Sequence, residues 1–126
     1  MNMNLNIGDF LEVVNYPKFS TIKLIGFVDA GIVENIKPVI NDKLVSSCNN
    51  VIINFESTEF LDSHGIGFLV SLLKKVHTKK GQMFFAGAHD QPEAVLKMVG
   101  FNNNLVTYCS NIQEASALIN QKAMNS

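Results

Sequence analysis

The segment FLDSHGIGFL, residues 60–69, sets an acid, a hydroxyl and an imidazole side by side as Asp62, Ser63 and His64, and two glycines follow at Gly65 and Gly67. Three chemistries are open to Ser63. It can cap a helix, because a serine side chain accepts a backbone N–H at a helix start. It can act as a nucleophile if a base stands within reach. It can also be an exposed hydroxyl that another protein modifies.

The nucleophile reading would take His64 or Asp29 as base. His64 is the next residue, and at a helix start its side chain points away from that of Ser63. No GxSxG elbow is present, and no second histidine completes a triad. His77 lies about 20 Å along the same helix at ~1.5 Å per residue. His89 follows a later strand and could approach the same end of the sheet, but nothing ties it to Ser63. A metal reading would use Asp29 and Asp62 for Mg²⁺, but no third acid is evident beyond Glu56 or Glu59, so solvated loop acids are the favoured account. Gly65 and Gly67 each cost about 0.5–1 kcal/mol in a helix relative to alanine. They imply close packing against a strand or close approach by another backbone. They do not make a dinucleotide fingerprint, since the third glycine is missing.

Composition narrows the classes. A chain of 126 residues fits one domain, residues 1–126, with a core over about 9–119 and a fraying tail at 120–126. It is 47% hydrophobic and only 17% charged, which leaves surface for a partner to cover. All 10 basic residues are lysines and the net charge is -1. Bidentate phosphate and guanine recognition favour arginine, so nucleic acid is not an expected partner. Cys48 and Cys109 are far apart, outside any metal-ligand spacing, and read as small core residues of a reduced, cytoplasmic protein. The N-terminus has no basic region followed by an apolar run, and no segment is long enough to span a bilayer. No cofactor or metal is expected.

The elements that must position these residues follow from periodicity. Residues 9–15 and 19–26 read as antiparallel strands joined at Tyr16-Pro17-Lys18. Residues 30–47 carry Ile32, Val33, Ile36, Val39, Ile40 and Leu44 at helical spacing. A buried strand covers 51–55, and a connection over 56–62 leads to a helix from Ser63 to Thr78. Lys79 and Lys80 suit that helix's C-terminus, and Gly81 the left-handed residue after it. A strand covers 82–87. Asp90 reads as the cap of a helix ending near Gly100, with Pro92 in its first turn and Glu93 completing the box. A short strand covers 105–108, and Ser110 with Gln113 opens a last helix through Ile119. The order β-β-α-β-α-β-α-β-α describes an α/β fold: a small mixed sheet packed with four helices. Its parallel strands would bring Asp29, Asp62 and Ser63 to one end of the sheet, where such folds place their sites. In the helix from Ser63, Phe68 and Leu72 lie apart from Ile66, Leu69, Val70 and Leu73 on the wheel. Burial on both sides is expected, and an exposed Phe68–Leu72 patch would instead be a partner surface.

Three blocks carry a resemblance. Gly26-Phe27-Val28-Asp29 resembles G-x-[LV]-D. Val51-Ile52-Ile53-Asn54-Phe55 resembles V-[LV]-x-[DN]-[LF]. Phe60-Leu61-Asp62-Ser63-His64-Gly65-Ile66-Gly67 resembles [FM]-[IML]-D-S-x-G-[IL]-G. Together they resemble STAS domains, and within them the anti-sigma factor antagonists of bacterial partner-switching systems, over nearly the whole chain. The resemblance implies a binding protein and not an enzyme. Ser63 would be phosphorylated by an anti-sigma-type serine/threonine kinase and reset by a serine phosphatase. The unmodified form would bind the kinase and free its other partner. Asp29 would lie beside the phosphorylation site, and Phe27, Asp62, His64, Gly65, Ile66 and Gly67 would share the partner-binding surface of a monomer or weak dimer. Phe27 stands where many relatives carry a polar or acidic residue, and His64 where serine or threonine is common. Ser57 and Thr58 are a less favoured phosphosite pair. The runner-up is a constitutive STAS subunit of a larger complex, such as a lipid-transport ATPase or a stressosome-like scaffold. A small serine hydrolase or nucleotide-binding enzyme is the remote alternative.

Overall fold

Alternate residues of the central strands feed two separate cores, and this explains why their sequences read as unbroken apolar runs. Ile53 and Phe85 face one side and Ile52, Phe84 and Ala86 the other. The computed structural model describes the backbone of residues 3–7, 10–43 and 50–125, and side chains within 10–40 and 50–121. Its elements are β1 (Met3–Ile7), β2 (Leu11–Asn15), β3 (Phe19–Leu24), β4 (Gly26–Val28), α1 (Ala30–Lys43), β5 (Asn50–Asn54), β6 (Thr58–Leu61), α2 (Ser63–Thr78), β7 (Met83–Ala86), α3 (Asp90–Met98), β8 (Thr107–Cys109) and α4 (Ile112–Asn125). Six strands form a mixed sheet in the order β1-β2-β3-β5-β7-β8, and β4 with β6 forms a separate two-stranded parallel ribbon.

The β2–β3 hairpin and the parallel β3–β5–β7–β8 run match the expected mixed sheet. One core lies beneath α1, α2 and α3, where Val33, Ile36, Ile40, Leu69, Leu73 and Leu96 pack on Leu11, Val13, Ile22 and Ile53. Phe85 is its aromatic centre, with ring centroids of Phe55, Phe101 and Tyr108 at 5.1, 5.2 and 5.6 Å. On the opposite face Ala115 and Ile119 of α4 cover Ile52 and Phe84. Phe68 and Leu72 are buried, so the Phe68–Leu72 patch is not a surface.

Several boundaries differ from expectation for local reasons. The strand expected over 19–26 breaks at Ile25, because Gly26 takes a left-handed φ of 78° and starts a new direction as β4. β1 adds an edge strand antiparallel to β2. The strand expected over 9–15 is β2 and begins at Leu11; residues 8 and 9 lie outside the described residues, as do 44–49, so the predicted end of α1, Leu44 and Cys48 are not described. The last strand is Thr107–Cys109, and α4 continues past Ile119 to Asn125. α2 closes with Lys80, not Gly81, in the left-handed conformation at φ 61°. The N–H groups of Lys80 and Gly81 donate to His77 O and Val76 O, both at 2.9 Å. Asn111 and Glu114, not Ser110 and Gln113, cap α4: Glu114 N–H donates to Asn111 Oδ1, and Glu114 Oε1 accepts from Ser110 N–H, both at 2.8 Å.

Candidate functional site: two helix starts on one ribbon

The connection expected over 56–62 is not a loop. Its second half is β6, whose Phe60 and Leu61 lie opposite Phe27 and Val28 of β4. Each strand of the ribbon runs straight into a helix through an aspartate. Val28 is followed by Asp29 and α1; Leu61 is followed by Asp62 and α2. The Asp62 N–H donates to Val28 O at 3.2 Å, which ties the two turns together. Asp29 and Asp62 thus share one end of the molecule, as the parallel arrangement implied, but the ribbon brings them there rather than β3 and β5 themselves.

Both acids are helix caps. Asp29 Oδ1 accepts the Ile32 N–H at 3.1 Å. Asp62 Oδ1 accepts those of His64 at 2.8 Å and Gly65 at 3.0 Å. Ser63 is therefore not the cap. A carboxylate is the stronger acceptor and complements the positive helix end, so it takes the capping position and displaces the serine one place into the first turn. The Ser63 hydroxyl is exposed and has no hydrogen-bond partner among the described residues. These backbone bonds, Gly65's foremost, hold the Asp62 carboxyl below its ordinary 3.8 against a partial burial that opposes them. His64 Nδ1 faces Asp62 Oδ2 at 3.5 Å and leaves Ser63 without a hydrogen-bonded base. The hydrolase reading loses its geometry there. One oxygen each of Asp29 and Asp62 is engaged with backbone N–H groups, and no group of three candidate metal ligands converges among the described residues.

The remaining expected site residues separate by environment. Phe27, Asp29, His64 and Gly67 are exposed, as Ser63 is, whereas Ile66 is half-buried against the core. Gly65 faces inward: a Cβ there would stand 3.0 Å from Val28 O and 3.2 Å from Val28 Cγ1. Around Gly67 a Cβ would meet nothing within 4 Å. Thr58 is buried and donates its hydroxyl to Leu24 O at 2.7 Å, pinning β6 where β3 gives way to β4. It is a structural residue, not a phosphosite.

The structure adds contacts that the sequence reading did not assign to the site. Gln91 in α3 grips Leu61 through both amide atoms, accepting its N–H at 2.9 Å and donating to its C=O at 3.0 Å. His89 Nε2 lies 3.2 Å from Glu56 O, and its Nδ1 2.7 Å from Asp90 Oδ2. Asp90, expected as the cap of α3, instead sits inside the helix at φ 51° and pairs with His89. Phe60 stacks on Phe27 with centroids 5.8 Å apart. Phe60 stood in the sequence as the first residue of the F-L-D-S-H-G-I-G block and His89 as a histidine able to approach this end of the sheet, while Gln91 left no signal for its role.

The family model for the STAS domain matches residues 10–115. An anti-sigma-B factor antagonist of Staphylococcus aureus is 25% identical over 101 residues, covering 80% of this chain and 90% of that protein. A STAS domain protein of Planctomyces limnophilus superposes with TM-score 0.77 at 18% identity, covering 90% of this chain and 99% of the other. The Bacillus cell fate determinant SpoIIAA in its phosphorylated form superposes with TM-score 0.68 at 18% identity, covering 94% and 99%. Its unphosphorylated form gives 0.65, also at 18%, covering 97% and 98%. With the ribbon, the two capped helix starts and this match in hand, the chain belongs to the STAS domain family.

Proposed function

We propose that this chain is a phosphorylation-controlled protein-binding switch whose modified residue is Ser63, and that it acts by binding without catalytic turnover. The observation that carries this reading is the capping by Asp62: it leaves the Ser63 hydroxyl exposed and unbonded on the first turn of α2. A serine engaged as cap would have to surrender that bond to be modified. Anti-sigma factor antagonists among its relatives, one of them solved in both phosphorylated and unphosphorylated forms, support the same reading.

The unmodified protein would bind an anti-sigma-type serine/threonine kinase, releasing that kinase's other partner, and a serine phosphatase would reset it, in the cytoplasm of a bacterium. Phosphorylation adds about −1.5 to −2 charges. Free N–H groups at the start of α2 would be the natural cradle for a phosphate. Those of His64 and Gly65 are already taken by Asp62. The dianion would therefore stand out from the helix between two carboxylates. The partner's pocket for Ser63, fitted to a neutral hydroxyl, would have to bury this dianion unpaired, and a desolvated charge without a partner costs several kcal/mol, two or more decades of affinity.

The experiment is intact-mass measurement of the protein from its native host, with peptide mapping across residues 56–74. The expected result is one phosphate on Ser63, absent in Ser63→Ala, and retention of the kinase by the unmodified form alone. An unmodified Ser63 under every growth condition would overturn the switch and leave a constitutive interaction subunit.

A further inference from the structure

The ribbon carries an exposed aromatic pair. Phe27 is 61% and Phe60 40% exposed, and their rings stack at 5.8 Å with 23° between planes. Folding does not need this arrangement, since the ribbon's inward residues, Val28 and Leu61, already bury it against the core. Large aromatic side chains held rigid at a surface are the usual anchors of protein interfaces.

The surroundings specify what sits on them. Segments 26–36 and 54–73 contain five acids (Asp29, Glu34, Glu56, Glu59 and Asp62) and no lysine, while all 10 lysines stand elsewhere. Asp29 and Asp62 each lie two positions beyond a ring, and Glu59 adjoins Phe60. A second copy of this chain docked here about a two-fold axis would press acid on acid. A basic partner would not.

We propose that the stacked Phe27–Phe60 pair selects the protein that modifies Ser63, and that this protein meets it with an apolar side chain ringed by lysine or arginine. The link to the modifying protein rests on the switch reading above. The rings anchor and the acids steer: aromatic burial supplies the affinity, and the acidic rim raises the association rate and makes it salt-dependent. Ser63, three positions beyond Phe60, is carried to the partner by the same docking.

The test places the photo-crosslinking residue p-benzoylphenylalanine at position 27, and separately at 60 and at the distant exposed Met98, in the full chain in its host, with Ser63 occupancy measured by mass in parallel. Support requires capture at 27 and 60, but not at 98, of one protein whose crosslinked peptide carries lysine or arginine and which phosphorylates Ser63 when purified. Its retention by purified Phe27→Ser should fall at least about thirtyfold with the melting temperature unchanged, and likewise with Phe60→Ser. Capture of a second copy alone overturns the proposal. So does undiminished retention by Phe27→Ser while Ser63 is still phosphorylated; the switch then stands without this anchor. Capture of a basic protein at 27 with Ser63 never modified overturns the switch and the link drawn here to it.

Discussion

Gln91 holds Leu61 by both of its backbone groups: Oε1 accepts the Leu61 N–H at 2.9 Å, and Nε2 donates to the Leu61 C=O at 3.0 Å. One side chain thus completes the free edge of β6 as a neighbouring strand would, immediately before Asp62 and Ser63. Gln91→Ala would leave a donor and an acceptor unpaired in a half-buried site, at a cost of about 1–3 kcal/mol. Gln91→Glu, with no donor for the Leu61 C=O, would lose as much. Urea titration checks the stability, and faster amide exchange at Leu61 and Asp62 in either variant would show the turn to be what loosens.

Asp62 titrates with the fold. A carboxyl whose pKa is lowered on folding stabilises the native state above its unfolded value, and that gain disappears as pH falls through the depressed folded value. Stability should therefore drop below about pH 4, within the unfolded range for aspartate. Asp62→Asn keeps an acceptor at every pH and should flatten this acid limb. Asp62→Ala should cost about 1 kcal/mol at neutral pH. Denaturation midpoints from pH 7 to pH 3 distinguish the three proteins.

His89 has the opposite sign. Hydrogen bonding to the Asp90 carboxylate, foremost, and to the Glu56 carbonyl raises its pKa above the ordinary 6.5. Its contribution is present in full below that value and is lost as pH rises through the folded pKa. Wild-type stability should decline slightly above pH 6.5 relative to His89→Gln, and NMR titration of the ring should show the raised midpoint directly.

The two motif glycines should respond in opposite directions. Gly65→Ala drives a methyl to 3.0 Å from Val28 O, a backbone atom that cannot retreat, and overpacking of this kind costs about 1–3 kcal/mol. Gly67→Ala meets only open space and should stabilise the helix by roughly 0.5–1 kcal/mol. Loss of partner binding in the more stable Gly67→Ala protein would mark this turn as a place where another backbone approaches. Unchanged binding would remove Gly67 from the interface.

Lys80 occupies the left-handed position that closes α2, at φ 61°. Replacing it with glycine should stabilise the protein by about 1 kcal/mol, since the Cβ penalty is removed and both closing hydrogen bonds use backbone atoms. The melting temperatures of Lys80→Gly and Lys80→Asn should both exceed that of the wild type, glycine highest.

Much of this protein is readable from residue order alone, because the information is local. Hydrophobic period placed α2 at Ser63–Thr78 and the strands beneath it; Gly100, at φ 105°, closed α3 near where it was expected. The D-S-x-G-I-G block marked the site. Contacts between distant segments were decided elsewhere. Whether Asp62 or Ser63 caps α2 depends on which side chain reaches the His64 and Gly65 N–H groups, and both are good caps by type. β4 and β6 are too short to announce themselves by alternation and exist only because they pair with each other, with Thr58 fastened to Leu24 and Leu61 to Gln91. Residue type and spacing therefore determined that an acid, a serine and two glycines would meet at a helix start. Tertiary pairing alone decided that Gly65 is packed while Gly67 is open and that Phe27 stacks on Phe60, because each depends on the distance between atoms far apart in the chain; the serine hydroxyl is left free by a local contest within the first turn of α2, which residue type alone does not settle.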